Sequence, residues 1–67
     1  MSNVGIYKTK EQQRFRAGIC SFELPSGTNV KVIQEDASTR KVLVEFDERT
    51  VDWFHVSILD SFVKIGD

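Results

Sequence analysis

From Asn29 to Val56 apolar and polar side chains alternate with a period of two. They do so in three runs rich in β-branched and aromatic residues: Asn29 to Gln34, Lys41 to Phe46 and Thr50 to Val56. Polar turn-formers separate the runs, which predicts three antiparallel strands joined as a meander. Closing the link Asp47-Glu48-Arg49-Thr50 as a tight hairpin, with Asp47 opposite Thr50, sets Phe46 opposite Val51, Val44 opposite Trp53 and Val42 opposite His55. Closing the first link with Gln34 opposite Arg40 sets Val32 opposite Val42 and Val30 opposite Val44. The two registers agree on which face of the middle strand looks inward, and a slip of one residue would invert that face. The expected inner face is Val30, Val32, Val42, Val44, Phe46, Val51 and Trp53, with His55 at its edge. The outer face then carries Lys31, Ile33, Lys41, Leu43, Glu45, Asp52, Phe54 and Val56.

The flanking segments add shorter elements. Residues 1–8 read as an arm or an edge strand. Thr9 followed by Gln12 has the spacing of a capping box, and "KEQQRFRA" is rich in helix formers before Gly18, so a short helix is predicted over residues 9–17, docked through Phe15. In "ICSFEL", Cys20, Phe22 and Leu24 alternate with polar residues as a half-buried strand that ends at the Pro25-Ser26-Gly27 turn. "SILDS" predicts one helical turn and "FVKI" a last strand. The pattern predicts one mainly β domain over residues 1–67: a small five-stranded antiparallel barrel over 19–65 behind a short N-terminal helix.

Strands of this length and spacing, with one helical turn before the last, resemble the SH3-like small barrels, a group that includes Tudor, KOW and Sm-like domains. His55 in "WFHVSI" falls where the ring-forming Sm-like riboregulators keep a histidine, whereas Val32 stands where they carry a glycine; their RNA site is not carried over. The resemblance implies a binding module and leaves its ligand unnamed.

Composition narrows the chemistry. At 67 residues the core is small, because chains of this size bury only about 60% of their unfolded surface. The one cysteine excludes an internal disulfide, and no metal-ligand cluster or cofactor motif is present. Tight packing or a partner subunit is left as the means of support, and a protein partner or self-association as a homo-oligomer is expected. No apolar run has membrane-spanning length and "MSNVGIYKTK" has no apolar signal stretch, so a cytoplasmic setting is expected. Net charge is -1. Residues 1–31 hold five Lys or Arg against two acids, and residues 32–67 hold four against eight.

One histidine, one cysteine and no glycine-rich phosphate loop argue against an enzyme. Cys20 reads as a small buried apolar residue and His55 as a hydrogen-bonded edge residue. Two binding surfaces remain. On the outer face the expected register sets Glu45 opposite Asp52 and Leu43 opposite Phe54, and facing like charges beside apolar side chains fit a site that receives a basic group of a protein partner. Lys31 and Lys41 on the same face would neutralise those acids instead. The alternative is RNA or DNA binding through Lys8, Lys10, Arg14 and Arg16, interleaved with Tyr7 and Phe15, with several copies in a ring to raise the affinity.

Overall fold

The computed structural model describes residues 2–66; Met1 and Asp67, the ends of the expected domain, lie outside the described residues. The elements run β1 Gly5–Thr9, β2 Gln13–Ala17, β3 Cys20–Leu24, β4 Asn29–Asp36, β5 Lys41–Glu45, β6 Val51–His55, a 3-10 helix Val56–Ser61, and β7 Phe62–Gly66. Five strands form one antiparallel sheet in the order β6-β5-β4-β1-β7, and β2 and β3 form a separate two-stranded ribbon. The pairing therefore describes two sheets, not the single closed five-stranded barrel expected. Within the segment expected as an arm or edge strand, residues 5–8 belong to an interior strand, since β1 lies between β4 and β7.

The expected N-terminal helix is absent, and Gln13–Ala17 is extended instead. Two contacts outweigh the helix propensity of this segment. The Thr9 hydroxyl, assigned above to a cap, is buried; it donates to the Pro25 carbonyl at 2.8 Å and accepts from Thr28 N–H at 2.9 Å. Beyond it, the two-residue turn Gly18-Ile19, with Gly18 at φ 63°, folds β2 back onto β3 so that Phe15 lies opposite Phe22 and Arg14 opposite Glu23. Phe15 does dock on the core, as an inward strand residue.

The core joins the ribbon to the sheet. Val32, Val42 and Val44 are fully buried, with Val30, Tyr7, Phe15 and Phe62 around them. Phe15 stacks on Phe62 at 5.5 Å between ring centroids and lies 5.4 Å from Phe46; Phe46 meets Phe22 and Phe54 edge-on at 4.8 and 5.6 Å. Such ring pairs prefer offset or edge-to-face geometry. All five phenylalanines are thus packed in or against the core. Cys20, in contrast, is exposed beside the turn, because the last pair of a ribbon extends past the core it covers.

Both hairpin registers differ from expectation. Between β4 and β5, Asp36 faces Lys41 and Gln34 faces Leu43, then a bulge at Ile33 resets the pairing to Val32 opposite Val44 and Lys31 opposite Glu45. The net shift is even, so Val30, Val32, Val42 and Val44 keep their inward face. Between β5 and β6 the shift is odd: Val42 faces Phe54, Leu43 faces Trp53, Val44 faces Asp52 and Glu45 faces Val51. That inverts β6. Phe54 packs against the core, whereas Val51, Trp53 and His55 are exposed. Phe46 N–H donates to the Thr50 carbonyl at 2.9 Å, so the loop holds three residues, Asp47 to Arg49, rather than two.

Candidate functional site

Outward side chains of β4, β5 and β6 form three rows across the sheet. Nearest the β4–β5 turn stand Asp36, Lys41 and His55. The middle row is Ile33 with Gln34 at the bulge, then Leu43, then Trp53. The third row, nearest the β5–β6 turn, is Lys31, Glu45 and Val51. Three large apolar side chains here are open to solvent: Trp53 is 38% exposed, Ile33 40% and Val51 41%, with Leu43 half-buried between them. Beside Ile33 the surface dips into a hollow of about 320 Å³ lined by Val4, Gly5, Ile6, Lys31, Val32 and Ile33.

The row ends are held by their turns. Asp36 Oδ1 accepts from Ser38 N–H at 3.0 Å and from the Ser38 hydroxyl at 2.7 Å, and these bonds hold its carboxyl below the usual carboxylate range. Asp47 Oδ1 accepts from Arg49 and Thr50 N–H, each at 2.8 Å, and its carboxyl is lowered by the Arg49 backbone bond first. His55 caps the 3-10 helix: its Nδ1 accepts from Ser57 N–H at 3.2 Å and lies 3.0 Å from the Ser57 hydroxyl.

Of the four residues expected to make the protein-binding patch, the structure keeps Leu43 and Glu45 on the outer face and turns Asp52 and Phe54 to the other side of β6. The Glu45–Asp52 facing pair does not form. Glu45 lies instead between Val51 and Lys31, and Lys41 lies opposite Asp36, so each acid of this face has a lysine across from it. The alternation missed Trp53, Val51 and His55 as surface residues. One signal could have found them: Glu48 and Arg49 are poor at the positive-φ positions that a two-residue hairpin turn requires.

Lys8, Lys10, Arg14 and Arg16 are all exposed, on β1, just after it, and along the outward side of β2. Their interleaved aromatics are not available for stacking, since Tyr7 is 5% and Phe15 8% exposed. Among the described residues no group of three or more His, Cys, Asp or Glu could hold a metal ion, and no helix is long and apolar enough to cross a membrane. No family model, curated protein or solved structure matches the chain.

Proposed function

We propose that this chain is a non-catalytic small β-barrel binding module of the SH3-like kind, working in the reducing cytoplasm, that recognises a protein through the outer face of β4, β5 and β6. The observation that carries the reading is the sorting of its aromatics. Every phenylalanine packs in or against the core, while the one tryptophan stands on the outer face with Leu43 directly across from it. Exposed tryptophan beside aliphatic side chains, rimmed by charges, is the composition of a contact surface rather than of a solvated face. A ribbon between the first two strands of a five-stranded sheet, and a 3-10 helix before the last strand, support the SH3-like part. An exposed free thiol at Cys20 suits the compartment.

The nucleic-acid alternative rests on the four exposed cations alone. Without an exposed aromatic among them it would give weak, salt-steep, sequence-indifferent binding.

Affinity capture with the wild-type chain, Trp53→Ala and Leu43→Glu, each checked by circular dichroism for an unchanged fold, tests the reading. Proteins retained by wild type and lost with both variants are the expected result. Proteins retained equally by all three overturn it. Oligonucleotide binding that disappears in Arg14→Ala/Arg16→Ala and persists in Trp53→Ala would favour the alternative.

A further inference from the structure

The charges of the outer face are arranged so that a second copy satisfies them. The row with Asp36 and Lys41 reads minus then plus from β4 to β5, and the row with Lys31 and Glu45 reads plus then minus. The apolar row of Ile33, Leu43 and Trp53 runs between them. A two-fold axis along that middle row, lying between two sheets packed face to face, exchanges the outer rows. Lys41 then meets the partner's Glu45 and Asp36 meets the partner's Lys31. Each contact occurs twice, while Leu43 and Trp53 pack on their own copies. A two-fold along β5 would instead set Lys41 and Glu45 each against its own copy, and one along the strands between β4 and β5, which also pairs opposite charges, would leave Trp53 outside the contact.

We infer that the outer face recognises itself, forming a two-fold symmetric dimer through the Ile33, Leu43 and Trp53 row with Lys41–Glu45 and Asp36–Lys31 contacts between copies. This inference rests on the proposed binding role of the face and names its occupant. An isologous interface requires a surface complementary to itself under a two-fold, and on this face the sign pattern meets that requirement at all four charged positions. The charges are exposed or half-buried, so they remain a solvated rim around the apolar row instead of being buried unpaired.

The patch also sets the strength. Three strands about 4.8 Å apart, over the five-residue span of β5 from Lys41 to Glu45, cover roughly 14 by 17 Å. That is well below the surface of roughly 800 Å² per partner that a standard interface buries. Sheet twist further concentrates the contact on the middle row. The dimer is therefore weak and concentration-dependent, dissociating in the micromolar range or above.

Sedimentation equilibrium of the full chain between 10 µM and 1 mM, with emission of the single tryptophan as a second readout, tests it. The expected result is a mass rising toward the dimer with a blue shift of Trp53 emission. Lys41→Glu and Glu45→Lys alone should each weaken dimerisation by roughly tenfold to thirtyfold, since each reverses two exposed pairs. An equal mixture of the two variants should recover wild-type association, because both contacts are then restored across the heterodimer. A wild type monomeric throughout, or a mixture no tighter than its components, overturns the self-recognition. If the wild type is monomeric while Trp53→Ala and Leu43→Glu still lose a captured protein, only this inference fails and the proposed function stands.

Discussion

Asp52 Oδ1 accepts a hydrogen bond from the backbone N–H of Trp53 at 2.8 Å. Phe46 and Thr50 bond across the ladder at one end of the β5–β6 pair, and Val56 N–H bonds to the Arg40 carbonyl at the other. Bonded and non-bonded pairs alternate, so Leu43 and Trp53 form a non-bonded pair. The Trp53 amide therefore points to the open side of β6, the edge of the five-stranded sheet. The central donor of that edge is occupied by a neighbouring side chain. Charged residues on edge strands are one way proteins suppress strand addition.

Replacing Asp52 with alanine frees that donor. The Trp53 amide should then exchange with solvent roughly fivefold faster, as expected for losing a bond of about 1 kcal/mol. Native-state hydrogen exchange measures this directly. An unchanged Trp53 exchange rate would mean that the carboxylate does not protect the amide. The freed edge should also admit strand pairing, seen as species larger than a dimer at high concentration.

The two hairpin aspartates make acid stability predictable in sign. Asp36 and Asp47 have carboxyls lowered in the folded chain by bonds from Ser38 and from Arg49 and Thr50. The unfolded chain then binds protons more readily, so stability rises with pH through this window. The contribution is complete above the unfolded value of about 4 and is lost as pH falls through the lower folded values. Urea midpoints should fall between pH 5 and pH 2.5. In Asp36→Asn/Asp47→Asn the fall should be shallower, and an equally steep one would show that other carboxylates dominate.

How much of this was legible in the sequence follows from parity. The β4–β5 register was misplaced by two residues, yet every valine kept its face, because an even shift leaves alternation intact and the bulge at Ile33 absorbed the odd residue. The β5–β6 register was misplaced by one, and that single residue turned Trp53 out and Phe54 in. The cause is local: Asp47 bonds to two backbone amides and makes a three-residue loop where alternation alone cannot tell two residues from three. The helix predicted over residues 9–17 failed for a non-local reason. Its Thr9 hydroxyl is claimed by Pro25 and Thr28, and Phe15 by rings from distant strands. The strands at 20–24 and 62–66 and the helical turn between Val56 and Ser61 were legible because short-range pattern and turn residues determine them.

Phe15 fastens the β2–β3 ribbon to the sheet. It touches Phe22 within the ribbon and Phe46 and Phe62 in the sheet. Truncation of a buried phenylalanine to alanine costs about 3–5 kcal/mol, whereas a chain of this length has on the order of 3–10 kcal/mol in total. Phe15→Ala should therefore leave the chain largely unfolded or release the ribbon. Phe15→Leu, which keeps most of the volume, should fold with a lower thermal midpoint. Chemical-shift mapping of Phe15→Leu should show changes confined to the ribbon and the rings of Phe46 and Phe62. Changes spread over the outer face would contradict the separation of core and contact surface.

Gly5 tests the β1–β7 seam. A methyl group at this position would lie 2.5 Å from the Gly66 carbonyl oxygen and 2.7 Å from Lys64 Cε. Lysine carbons can swing aside, but the carbonyl belongs to the backbone of β7, so the strands must separate. The seam is already irregular, with a register shift between Ile6 and Tyr7, which leaves little slack to absorb the displacement. Overpacking of this kind costs about 1–3 kcal/mol, and the φ of 157° at Gly5 adds backbone strain for any side chain placed there. Gly5→Ala should lower the denaturation midpoint accordingly and speed amide exchange along β7 more than along β5 and β6. Gly18→Ala is the control. Its added methyl meets nothing within 4 Å, so any loss there reports the left-handed φ of 63° alone and leaves β7 exchange unchanged. Equal effects of the two substitutions on β7 would show that the close approach to Gly66 is not what fixes glycine at position 5.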